Sequence, residues 1–200
     1  ILPRVGIFKV ETKTPTRCSQ LGTRYSVLFS MNLSLESMAI EMPAVAGHPN
    51  RQAFRGVLTL VDVPSARPPA GARGHRVLLS RAAAERALPS LLGMALDYTI
   101  GLDGHDARRK VGIITSAEIV GGRLEVAGYI FARDFPELMQ ELRGNAHGLA
   151  MSYEIADAHV ADVRAWIWVL TEVTFTGAAI LRRDKAAYPE TWIALEASTE

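Results

Sequence analysis

Two adjacent glycines, Gly121 and Gly122, separate residues 111–119 from residues 123–131, and both flanking runs are apolar and rich in β-branched side chains. That pattern specifies an antiparallel hairpin turning on the glycines. In the second run Leu124, Val126 and Ile130 fall on one face. Other runs extend the strand pattern: 56–63, 77–79, 149–155, 163–174 with Trp166 and Trp168 on one side, and the short apolar stretches 178–181 and 192–195. Ser80 is placed to cap a helix over 81–88, which Pro89 ends. Asp134-Phe135-Pro136-Glu137 has the form of a second helix start, with Asp134 accepting from first-turn N–H groups and Glu137 reaching back. Leu138, Met139 and Leu142 then share a face, and Gly144 stops that helix. Residues 91–98, LLGMALDY, fit a helix or a buried strand. Many short strands with a few short helices imply an α+β fold, a small, strongly curved or closed antiparallel β-barrel with helices around it.

The chain has 200 residues, enough for one domain or for one domain with an extension. Residues 1–42 show no clean period and read as an N-terminal extension or pro-segment; 43–200 read as the domain. Cys18 is the single cysteine, which excludes an internal disulfide framework, fits a reducing cytosol and speaks against a cysteine-rich zinc module. Lys and Arg total 22 against 21 Asp and Glu, a net charge of +1, so no overall electrostatic footprint for nucleic acid exists. No apolar run reaches the ~18–20 residues of a membrane span. The first residues lack the basic-then-apolar order of a secretory signal.

Two residues offer chemistry. His105 sits in a Gly-Leu-Asp-Gly-His-Asp turn just before the hairpin, and imidazole suits general-base work near neutral pH. Ser152 lies in the strand-like run GLAMSYEI. A serine hydroxyl becomes a nucleophile only with a base in reach and a third group holding that base. Taken singly, they are a loop histidine and a strand serine. The third group has four candidates: Asp106, Glu154, Asp162 and Glu172. Glu154 shares the strand face of Ser152, because i and i+2 point the same way. Glu172 interrupts an apolar strand, where an unpaired carboxylate is expensive to bury, and that favours it. Arg182 and Arg183 follow the apolar run 178–181 and are either oxyanion-positioning residues or a solvated turn. His105 and Asp106 suggest a metal pair, but no second ligand lies at ligand spacing in the sequence, so no metal or cofactor is expected.

The ordered set of segments resembles the prohead maturation proteases of tailed bacteriophages, a family related to the herpesvirus assemblins. The resemblance lies in the His-Asp turn with KVGII, the strand LEVAGYI, the Gly-x-x-x-Ser strand, and EVTFTGAA. A narrower subgroup is visible in LPSLLGMALDYT, ARDFPELMQEL, FTGAAIL and DKAAYPETWIAL; the whole spans about residues 56–195. Tyr153-Glu154 follow the serine where many relatives have a small residue and glycine. The resemblance implies a small β-barrel surrounded by helices and a serine endopeptidase. Ser152 would be nucleophile, His105 general base, Glu172 orienting acid, and Arg182 and Arg183 oxyanion residues. The implied setting is an assembling prohead in the host bacterial cytoplasm. The implied partners are the major capsid protein or scaffold protein, with self-cleavage and homodimerisation, and no nucleic acid or membrane. Two rivals are a catalytically silent assembly component built on the same fold and a generic esterase.

Overall fold

The glycine hairpin is the centre of the molecule. In the computed structural model, which describes residues 37–43 and 47–197, strand β5 (Lys110–Val120) turns at Gly121, φ 58°, into β6 (Arg123–Ile130). Alternate residues of β6 are buried, so its one apolar face is committed to the core. β6 pairs with β2 (Gln52–Leu60), and β2 pairs with β9 (Trp192–Leu195). On its other edge β5 pairs with β4 (Ala95–Asp97) and with β1 (Ser37–Ala39). Three residues of the expected 1–42 extension thus lie in the sheet. Residues 1–36 of that extension, Cys18 among them, lie outside the described residues.

The longest strand is β8 (Ile167–Arg182). It unites 167–174 with 178–181, which read separately in the sequence, while 163–166 of the expected run lie in the turn before it. One edge carries β7 (Leu149–Val160), antiparallel; the other carries β3 (Arg76–Leu79) and β4, both parallel. The sheet is therefore mixed rather than wholly antiparallel.

The sheet curls strongly, as expected, but it does not close into a barrel. Its ladder ends at β9 on one side and at β7 on the other, and no β7–β9 pairing joins them. The two ends meet through side chains. Thr191, fully buried before β9, has its hydroxyl 2.9 Å from the Met151 carbonyl and 3.2 Å from the Met151 N–H. Gly56 in β2 permits that approach, since a Cβ there would collide with the Trp192 carbonyl and the Met151 sulfur.

Among the described residues two α-helices pack on the sheet. α1 (Arg81–Ala87) is capped as expected, the Ser80 hydroxyl accepting from the Ala83 N–H at 3.3 Å, and a 3-10 turn at Leu88–Leu91 follows with Pro89 at its start. α2 (Pro136–Gly144) buries Leu138, Met139 and Leu142 and ends at Gly144. Its cap differs from the expectation. Phe135 holds the cap position, and the Asp134 carboxylate instead accepts from the Asn50 amide at 2.8 Å. The core includes Phe54, Leu58, Leu96, Ile114, Leu124, Ile130 and Phe175, all essentially inaccessible. Each such side chain stabilises the fold by roughly 1.5–3 kcal/mol through removal from water.

Candidate active site

Ala179 of β8 sets the site. Across one edge it is level with Ser152 of β7, and across the other with Asp97 of β4. Alternation puts Met151 in the main core and Ala150 and Ala179 in a separate small cluster on the opposite face. Ser152 and Glu154 project on that second face, and the small Ala179 side chain leaves room above the sheet.

His105 comes from the loop between β4 and β5. Its Nε2 stands 3.1 Å from Ser152 Oγ, and its Nδ1 stands 3.2 Å from Glu154 Oε1. The ring lies along β7 and bridges two successive residues of one strand face. A carboxylate oxygen beside Nδ1 favours the tautomer that carries the ring hydrogen there. That leaves the Nε2 lone pair facing the serine hydroxyl.

A second carboxylate backs the ring. Asp97 is fully buried, with Oδ1 3.9 Å from His105 Nδ1. Burial of an ionised carboxylate demands compensation. Lys110 supplies it, being opposite Asp97 in the β4–β5 register with Nζ 3.3 Å from Oδ2, while the Asp106 N–H donates to Oδ1 at 3.2 Å. Asp97 and Lys110 were not recognised in the sequence. The available signal was an aspartate inside LLGMALDY, a charge in an apolar run that must find a partner.

Glu172, the sequence's choice of orienting acid, lies elsewhere. It is exposed, near the other end of β8, and pairs with the equally exposed His159 at 3.1 Å. The premise that it would be buried fails because β8 presents Thr171 and Glu172 to solvent between Leu170 and Val173. Asp106 faces Arg108, and Asp162 accepts from the Arg164 N–H. The arginines are also engaged otherwise. The Arg182 N–H donates to the Leu102 carbonyl at 2.7 Å and its Nε faces Asp184. The Arg183 guanidinium donates to the carbonyls of His147 and Pro189 at 2.9 and 3.0 Å, and its own N–H to Gly148. Their shown partners make them staples of the turn after β8.

Two openings lie nearby, and the first is lined by none of Ser152, His105, Glu154 and Asp97. A broad cleft of about 490 Å³ is lined by Asp106, Arg108, Arg109, Lys110 and Phe135. A second opening, of only about 20 Å³, is bounded by Leu58, Pro69, Met151, Ser152, Tyr153, Ala187 and Tyr188. Burial pushes the Tyr153 hydroxyl well above its ordinary value and that of Tyr188 up to about 12, so both walls are neutral.

No family model matches this chain, and no curated protein matches it. Among solved structures it is similar to KSHV protease in complex with a hexapeptide phosphonate inhibitor, with a TM-score of 0.41 and 13% identity. That match covers 65% of this chain and 59% of the other, so the chain spans about three fifths of the length of the protein it resembles. Among the described residues no helix is long and apolar enough to cross a membrane.

Proposed function

We propose that this protein is a serine endopeptidase of the prohead-maturation type. The single observation that carries the catalytic reading is the 3.1 Å approach of His105 Nε2 to Ser152 Oγ, with a Glu154 carboxylate oxygen 3.2 Å from Nδ1. Residues 47 apart in sequence meet in the geometry general-base catalysis requires. His105 takes the hydroxyl proton as Oγ attacks the scissile carbonyl carbon. Glu154 and Asp97 stabilise the imidazolium, which returns the proton to the leaving amine, and water then resolves the acyl-enzyme. Glu154, the acceptor in contact with Nδ1, takes the orienting role.

The silent-component reading called for a base and serine held well apart, and they are not. The esterase reading called for a deep apolar pocket beside Ser152, whereas the adjoining opening holds about 20 Å³. An open cleft of about 490 Å³ lies beside the His105 turn. The ordered segments shared with the prohead proteases support the substrate class: scaffold protein or the scaffolding region of the major capsid protein, and the chain itself. Action within the prohead in the bacterial cytoplasm, self-association, and independence of nucleic acid and membrane belong to the same proposal.

Co-expression with the capsid precursor, read by mass spectrometry, tests it. Processing is expected with the unaltered chain and absent with Ser152→Ala. Persistent cleavage by Ser152→Ala would show that another group is the nucleophile.

A further inference from the structure

The base has more acid than it needs. Nδ1 of a neutral imidazole carries one hydrogen and is satisfied by one acceptor, yet two carboxylate oxygens converge on it, at 3.2 Å from Glu154 and 3.9 Å from Asp97. All three donor atoms lie within 4.8 Å of one another. Around a tetrahedral zinc ion with bonds near 2.1 Å, donor atoms stand about 3.4 Å apart. The separations of 3.2 and 3.9 Å bracket that figure. Lys110 strengthens the fit, because it occupies Oδ2 and leaves Oδ1, bound by the Asp106 N–H, with a further lone pair. An outer-shell partner of this kind fixes a carboxylate ligand's orientation.

We infer that Asp97, His105 and Glu154 bind zinc, or a similar imidazole-seeking divalent cation, and that the ion switches the base off. The proton count gives the reason. A metal on Nδ1 needs that nitrogen's lone pair, so the ring's single hydrogen moves to Nε2. There it points at Ser152 as a donor, and the ring can no longer accept the serine proton. One nitrogen and two oxygens select zinc-like ions over magnesium, which prefers an all-oxygen octahedron. The fourth position falls to water. The sequence concealed this set because Asp97 and Glu154 lie in different strands from each other and from the His105 loop. The binding site stands by itself; the switching rests on the peptidase reading above.

Calorimetric titration of the full chain with Zn²⁺ tests the site, with Co²⁺ absorption as the geometric readout and Mg²⁺ as control. The expectation is one ion per chain, intense visible Co²⁺ bands, binding kept in Ser152→Ala and His159→Ala, and affinity at least ~10-fold weaker in folded Glu154→Gln. Absence of Zn²⁺ binding, equal affinity in Glu154→Gln, or loss with His159→Ala would overturn the site. Inhibition of peptide cleavage at the same Zn²⁺ concentration, reversed by chelator, supports the switch. Undiminished cleavage by the zinc-loaded chain refutes it. Zinc binding by a chain that never cleaves leaves the site standing and removes the peptidase reading alone.

Discussion

At the scale of single residues, the site turns on which carboxylate meets the imidazole. Glu154 and Glu172 both sit in strands and both face a histidine ring, but Glu154 meets His105 and Glu172 meets His159. Glu154→Gln is therefore expected to lower kcat on the order of 10²-fold, since the amide no longer stabilises the imidazolium. Glu172→Gln is expected to leave kcat unchanged, as its pair is exposed and weakly coupled. Peptide hydrolysis by the two purified variants separates them, and equal losses would return Glu172 to the site. The sequence named both glutamates as candidates, and the rule that a buried carboxylate needs a partner was sound. It was applied to Glu172, which is exposed, when the buried carboxylate was Asp97.

At the scale of elements, the site is a consequence of register. Ser152, Ala179 and Asp97 are level across β7, β8 and β4, and two pairs further along β7 Glu154 faces Gly177. A Cβ at position 177 would meet Glu154 Oε2 at 2.5 Å and the Ala95 carbonyl at 3.3 Å. The first neighbour is the end of a flexible side chain, so the strand pair tolerates the change by moving the carboxylate. Gly177→Ala should fold with a melting temperature close to the parent's and yet lose at least ~10-fold in kcat by displacing the orienting acid. A full-activity Gly177→Ala protein would show that Glu154 does not hold His105. The hairpin, α1 and the body of α2 were legible because period and turn residues act locally. The unity of β8 was not, because Thr176-Gly177 looks like a break and is a strand interior against which Glu154 packs.

At the scale of the molecule, the curl is held by contacts that no ladder supplies. Tyr188, between β8 and β9, is buried, its hydroxyl 3.0 Å from the Val77 carbonyl in β3 and 3.2 Å from that of Val63. Burial raises its pKa from 10.0 to about 12. The folded value lies above the unfolded one, so the neutral hydroxyl stabilises the fold fully below pH 10 and this is lost as pH rises towards 12. The stability at stake is roughly 3 kcal/mol. Urea midpoints at pH 9 and pH 11.5 should diverge for the parent and diverge less for Tyr188→Phe. An identical alkaline loss in both would place the titrating group elsewhere.

Local pattern by itself determined most of the strands, both helices, and the two side chains with the right chemistry, since these follow from alternation, caps and residue type within a few positions. The resemblance to the prohead proteases suggested an order, histidine before serine before acid, and with it the class of reaction proposed above. Only the tertiary structure decided which acid faces the ring, that Asp97 and Lys110 form a buried pair behind it, and that the sheet curls without closing. Those depend on strand register and on pairing between residues tens of positions apart, where a shift of one residue sends every side chain to the other face.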